Sequence, residues 1–164
     1  MKRAALFSAL TGLRFSDIQK LTWEELANVP GQGYYIRFSQ QKTKGVEELP
    51  ISEQAYDLLG QPGNLKDRVF QDLKYSAYHN KHLAQWIGAA GITKNITFQS
   101  FRHTYATLQL FSGTDDYTVS KLLGHRNLRT TQVYAKVVDE AKREAASRIK
   151  LKLPHNFFTD DTNL

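Results

Sequence analysis

Apolar residues recur along this chain with two different periods. Near the start, Leu6, Phe7 and Leu10 fall at i, i+1 and i+4. That spacing predicts a helix over about 3–10, closed by Thr11-Gly12, with Gly12 in the left-handed position after a helix. Ser16 reads as the cap of a second short helix, with Asp17 in its first turn and Ile18 and Leu21 facing inward. Thr22-Trp23-Glu24-Glu25 has the capping-box pattern of one more turn, and 28–33 reads as a loop. The period then becomes two. Tyr34, Ile36 and Phe38 alternate with Tyr35, Arg37 and Ser39, which predicts a strand. Residues 46–49 form a second extended piece stopped by Pro50, and 40–45 is a polar, basic hairpin tip.

Helical spacing returns downstream. Ser52 caps a segment carrying Ala55, Leu58 and Leu59 that ends at Gly60. Residues 61–64 read as a turn, and Arg68-Val69-Phe70 as a short extended piece. Leu83, Trp86, Ile87 and Ala90 mark one apolar stripe, and Phe98, Phe101, Tyr105 and Leu108 another. Thr114-Asp115-Asp116 opens a short helix with Val119, Leu122 and Leu123, ended by Gly124. From about Thr130 a long helix carries Tyr134, Val137, Ala141 and Ala145. The expected class is mainly α with a small antiparallel β-sheet or hairpin (α+β). The domain is expected over 1–153, with 154–164 as a C-terminal tail. The helical pattern starts almost at once, which suggests a piece cut from a longer protein.

Charge narrows the partner. Twenty-two Lys and Arg against 16 Asp and Glu give a net charge of +6. A basic surface favours a polyanion, because each phosphate neutralised releases condensed counterions; the same charge also serves plain solubility. The chain has no cysteine, so neither a disulfide nor a thiolate metal site is available, which fits a reducing compartment. No apolar run reaches the ~18 residues of a membrane span. Ser8 and Thr11-Gly12 interrupt the N-terminal apolar stretch too early for a signal peptide.

The residues with chemistry to offer are scattered. Arg14 projects from a turn between two helices. Lys42 and Lys44 sit on the hairpin tip, and Arg102 lies at the edge of an apolar stripe, where it is either merely solvated or available to a ligand. His103, His125 and Tyr134 complete the set. Taken singly, each has an ordinary reading: a surface arginine, a solvated loop lysine, a structural histidine, a core tyrosine. Taken together they match what covalent phosphodiester cleavage needs: a nucleophile, positive charge on the non-bridging oxygens, and groups to take and give protons. Arginine suits the clamp because its planar fork bonds two oxygens at once and stays protonated. The two histidines have no carboxylate or cysteine at ligand spacing, so no metal is expected.

Order and local motif carry more than any one residue. The run from Ala9 to Ile18, with Thr11-Gly12-Leu13-Arg14, resembles the first arginine motif of the tyrosine recombinases, the phage-integrase family. The hairpin ending at Leu49-Pro50-Ile51 resembles that family's β-hairpin with its lysine. Phe101-Arg102-His103-Thr104-Tyr105-Ala106-Thr107 is similar to the second arginine motif. Leu122-Leu123-Gly124-His125 and Tyr134 are similar to the closing histidine and nucleophile.

The resemblance implies the tyrosine-recombinase catalytic-domain fold and site-specific recombination of double-stranded DNA (integration or excision, as in a mobile element or prophage) through a 3′-phosphotyrosine. It implies that Tyr134 attacks, that Arg14 and Arg102 clamp the phosphate, and that Lys42, eight residues before Pro50, protonates the leaving 5′ oxygen. It implies that His125 bonds the phosphate or manages the tyrosine proton, that Asp17 orients an arginine or histidine, and that His103 supports the site from behind. Lys42, Lys44, Arg14 and Arg102 are the expected DNA contacts. No cofactor and no metal are implied. The implied assembly is a homo-tetramer on paired sites, whereas a lone fragment can be monomeric, in the bacterial cytoplasm and away from membrane.

Two departures stand out. Where the family has a histidine three residues before the second arginine, this chain has Gln99, an amide that donates a hydrogen bond but is neither acid nor base. The helical N-terminal DNA-clamping domain of full-length members is also missing from the sequence. The alternatives are a catalytically impaired DNA-binding module of the same family, and a helical interaction protein with a basic surface.

Overall fold

The structure, a computed structural model, describes residues 1–39 and 46–148. The expected hairpin lysines Lys42 and Lys44 and the expected tail 154–164 lie outside those residues.

The first helix, α1 (Lys2–Thr11), ends on Gly12 at φ 72°, as its sequence predicts. Its buried face is Ala4, Phe7, Ser8 and Thr11, whereas Leu6 is 41% exposed; the inward stripe is rotated from the expected one because small residues let α1 lie close against its neighbours. Helix α2 (Phe15–Lys20) begins one residue before the expected cap. Arg14 is its N-cap residue, and its backbone N–H donates to the Asp17 carboxylate at 3.3 Å, so Asp17 closes the turn and Ser16 does not. The capping box at Thr22 forms a 3₁₀ turn over Trp23–Glu25, with the Thr22 backbone N–H donating to Glu25 Oε2 at 2.9 Å.

Strands β1 (Leu26–Val29), β2 (Gly33–Ser39) and β3 (Val46–Ile51) form one antiparallel sheet in that order. Two expectations fail here. Asn28 and Val29 belong to β1 and not to a loop; the short extended piece at Arg68-Val69-Phe70 stays outside the sheet, where Arg68 makes an isolated bridge to Thr22. Nor does Pro50 end β3. It pairs with Tyr35 and the strand continues to Ile51, because β3 is an edge strand and tolerates a residue without an N–H.

Ser52 caps α3 (Glu53–Asp57) through the Ala55 N–H. Helix α4 (Ala77–Ala89) buries Leu83 and Ile87 and leaves Ala90 exposed beyond its end. Helix α5 (Phe98–Phe111) buries Phe98, Arg102, Tyr105 and Ala106, with Leu108 56% exposed. Helix α6 (Asp116–Leu122) is capped by Asp115. Helix α7 (Arg129–Arg148) buries Thr131 and Val138, while Val137 is 52% exposed. Helix α5 is the hub, packing on α1, α6 and α7.

The main core centres on Phe7, Ile18, Leu21, Ile36, Leu59 and Leu83. Each such side chain contributes about 1.5–3 kcal/mol by leaving water. A smaller cluster of Tyr105, Ala106, Val119 and Leu123 ties α5 to α6, with Tyr134 of α7 packed against it. Phe15 links α2 to the rest through edge-on contacts with Tyr75 and Phe98, at 5.4 and 5.0 Å between ring centroids.

Candidate active site

The α1–α2 turn, the middle of α5, the end of α6 and the start of α7 converge, and each brings one of the residues named from the sequence. The turn is built around Gly12. A Cβ there would lie 2.6 Å from a Tyr105 ring carbon and 2.7 Å from a Leu123 methyl carbon, so glycine lets α1 end directly against α5 and α6. Two hydroxyls hold the turn in shape: Ser8 Oγ donates to the Leu13 carbonyl at 2.8 Å, and Thr11 Oγ1 donates to the Phe7 carbonyl at 2.8 Å. Arg14 leaves this rigid turn with its side chain exposed.

Arg102 departs from the solvated alternative: it is 3% exposed. Its two terminal nitrogens donate to the carbonyls of Gly12, at 2.5 Å, and Leu123, at 2.7 Å. Both acceptors are at helix C-terminal ends, where carbonyls lack intrahelical partners and the helix dipole is negative. A guanidinium suits that place, and it ties the ends of α1 and α6 to α5. Burial, then the Arg14 charge, lowers its pKa to about 10, with Tyr134 and Asp17 pulling the other way. It remains a cation at neutral pH.

Arg14, Asp17 and Arg102 line a pocket of about 470 Å³ that is also bounded by Phe38, Glu48 and Leu49 of the two strands flanking 40–45. Arg14 also lines a second depression of about 590 Å³ with Lys121, His125, Arg126 and Asn127. Among the described residues, ion pairs join Arg37 to Glu48 and Arg148 to Glu144, and none involves Arg14 or Arg102. Two neighbouring guanidiniums, neither paired with a carboxylate among the described residues, make the hollow electropositive and suited to an anion. Asp17 turns its carboxylate to the Arg14 backbone and to the Ser16 hydroxyl, so it shapes the turn that presents Arg14.

Tyr134 is half-buried. Burial raises its pKa, and the positive charges of Arg102 and Arg14 work in the opposite direction. Its hydroxyl lies 2.7 Å from His103 Nδ1, so His103, expected behind the site, touches the expected nucleophile itself. His125 Nδ1 lies 2.8 Å from the Oγ1 of fully buried Thr131. Burial, then Arg102 and Arg14, lowers the His125 pKa. Gln99 is exposed in the first turn of α5, one turn before His103.

Sequence reasoning misses Lys121, Arg126, Asn127 and Thr131. The first three flank Leu122-Leu123-Gly124-His125 on both sides, and that proximity is the signal that could have found them. Thr131 carries none, since its part is to hold a ring six residues earlier.

The model of the phage integrase family matches residues 1–141. A tyrosine recombinase of Thermosipho africanus is 26% identical over 144 residues, covering 84% of this chain and 50% of its own. The tyrosine recombinase XerD of Lacticaseibacillus casei is 31% identical over 152 residues, with coverages of 82% and 50%. The chain thus spans about half the length of these curated relatives. Among solved structures, XerH site-specific recombinase in its post-cleavage complex with palindromic difH substrate superposes with a TM-score of 0.69 at 22% identity, over 89% of this chain and 44% of that one. The catalytic domain of bacteriophage HP1 integrase gives 0.59 at 24% identity, over 88% and 79%. Both structural likenesses establish the fold.

Proposed function

The chain belongs to the phage integrase family, and from that premise we propose that it is the catalytic module of a tyrosine-type site-specific DNA recombinase. In this reading the Tyr134 oxygen attacks a phosphorus of double-stranded DNA. A 3′-phosphotyrosine bond forms, the bond to the 5′ oxygen breaks, and a free 5′-hydroxyl is left. Attack by a 5′-hydroxyl reverses the step and rejoins strands, and no cofactor is needed because the energy of the broken bond is kept in the new one. Arg14 and Arg102 hold the non-bridging oxygens and stabilise the charge that grows on them. His125 and Lys121 extend the same positive surface along the DNA backbone, and Lys42 protonates the leaving oxygen. Lys44 is a further DNA contact. The working assembly is a homo-tetramer on two paired sites in the bacterial cytoplasm. The domain comprises residues 1–153, with 154–164 as its tail, and in the whole protein it is joined to a DNA-clamping domain.

The observation that carries this reading is the pair of guanidiniums lining one pocket, neither of them in an ion pair among the described residues, beside a half-buried tyrosine on which both act. The test is incubation with a pool of nicked duplexes of randomised sequence, followed by denaturation and a search for DNA joined to protein. The wild-type chain should give an adduct and Tyr134→Phe none; an adduct that survives Tyr134→Phe refutes the assignment.

Gln99 favours one other reading, a DNA-binding module of this family with impaired catalysis. That reading predicts salt-sensitive binding to the same pool with no adduct at any pH.

A further inference from the structure

Transfer of the Tyr134 oxygen to phosphorus requires somewhere for the phenolic proton to go. Gln99 cannot take it, because an amide has no basic lone pair to offer at working pH. Arg14 and Arg102 are already protonated. His125 faces the other way chemically: its Nδ1 is engaged by the Thr131 hydroxyl at 2.8 Å, and its ring lines the depression shared with Arg14, Arg126 and Asn127, where a phosphate oxygen would lie. One imidazole remains at the tyrosine. His103 Nδ1 is 2.7 Å from the Tyr134 oxygen, inside the 2.6–3.2 Å reach of a general base, and its ring is 5.4 Å from the phenol ring.

We propose that His103 is the general base of this chain, taking the Tyr134 proton on Nδ1 as the phenolic oxygen bonds to phosphorus. This rests on the recombinase reading above. The register of α5 makes the exchange natural. Gln99 and His103 are four residues apart, so both side chains stand on one face of the helix, with Arg102 beside them reaching inward. The imidazole that Gln99 does not offer is present one turn later, on the residue that touches Tyr134.

The step balances. The O–H bond of Tyr134 breaks, its proton passes to Nδ1, and the oxygen lone pair forms the new bond to phosphorus. The electron pair of the broken P–O bond leaves on the 5′ oxygen, which takes its own proton from water. In rejoining, His103 returns its proton to the departing tyrosine. Among the described residues, the charged groups that act on Tyr134 are Arg102 on α5 and Arg14 from the α1–α2 turn. The two arginines act on Tyr134 and on His125 alike.

The test has two arms and uses the 164-residue chain. The first needs no DNA. In ¹⁵N-resolved imidazole spectra, the neutral His103 ring should carry its proton on Nε2, and Tyr134→Phe should move its Nδ1 resonance while leaving that of His125 in place. A proton on Nδ1 in the neutral ring, or indifference to Tyr134→Phe, overturns the proposal. The second arm uses a nicked duplex recovered from the randomised pool. His103→Asn keeps an oxygen within reach of the hydroxyl but cannot accept a proton. It should bind the duplex as the wild type does and form adduct about 100-fold more slowly, the lower end of what a general base supplies. It should also lose the fall in rate seen on acidification. Wild-type cleavage by His103→Asn, or slow cleavage that keeps the acid limb, overturns the base assignment. A wild-type chain that binds and never forms adduct overturns the recombinase reading instead, and the spectra then show the pair to be a structural contact only.

Discussion

Arg102 spends two of its N–H donors inside the protein, on Gly12 and Leu123, and keeps the rest of a planar fork for whatever enters the pocket it lines. Lysine can supply the charge but not the fork. Arg102→Lys leaves at least one buried carbonyl without a donor, a loss of about 1–3 kcal/mol, and should lower the denaturant midpoint measurably as well as abolish adduct formation. Gln99 lends itself to the opposite experiment. If His103 holds the proton-accepting role, Gln99→His should change the cleavage rate by less than about tenfold, short of the 10²-fold that a working base supplies. A larger rise would mark Gln99 as a defect. The sequence exposed the chemistry of these residues and hid their connections. Nothing in the spacing of His103 and Tyr134, 31 positions apart, says that two helices bring them to hydrogen-bond distance. Burial of Arg102 was equally hidden, because its partners are backbone carbonyls that leave no trace in residue identity.

Elements were more legible than faces. Caps and stops named the ends of α1, α3 and α6, because Gly12, Ser52 and Asp115 act through local backbone geometry that the residue itself dictates. Which side of a helix is buried depends on what lies against it. Leu6, Leu108 and Val137 fit an apolar stripe and are exposed, while Ser8 and Thr11 break the stripe and are buried, their hydroxyls satisfied by carbonyls within reach. Strand β1 escapes the pattern for a related reason. Leu26 to Val29 is too short for alternation to declare itself, and pairing with β2 decides it. Gly12 belongs to this scale because it joins two properties in one position: a left-handed backbone and a close approach to Tyr105 and Leu123. Gly12→Ala meets a conformational penalty of about 1–2 kcal/mol and overpacking of about 1–3 kcal/mol. Its melting temperature should therefore fall by several degrees, and the Arg14 turn should shift with it, so cleavage declines even at temperatures where the variant stays folded.

For the molecule as a whole, the consequence of the hollow is a fold that holds two guanidiniums outside any ion pair among the described residues. A ligand that binds only the folded state stabilises it by mass action, by about 1.4 kcal/mol when present at ten times its dissociation constant. Inorganic phosphate should therefore raise the melting temperature of the wild type and do so less for Arg14→Ala, whose exposed side chain can be removed without disturbing the core. The pH dependence separates the two states of the site. Without phosphate, His125 has a folded pKa below its unfolded value of about 6.5. The unfolded chain then binds more protons, so this histidine's contribution is complete above that value and is lost as pH falls through it toward the folded pKa. A bound phosphate supplies negative charge to the same depression and favours the imidazolium. The stabilisation by phosphate should accordingly grow on acidification across that window in the wild type. In His125→Ala it should be flat over the same range apart from the ionisation of phosphate itself. Calorimetric scans at matched ionic strength, with sulfate as the anion whose charge does not change there, distinguish an occupied hollow from general screening of a basic surface.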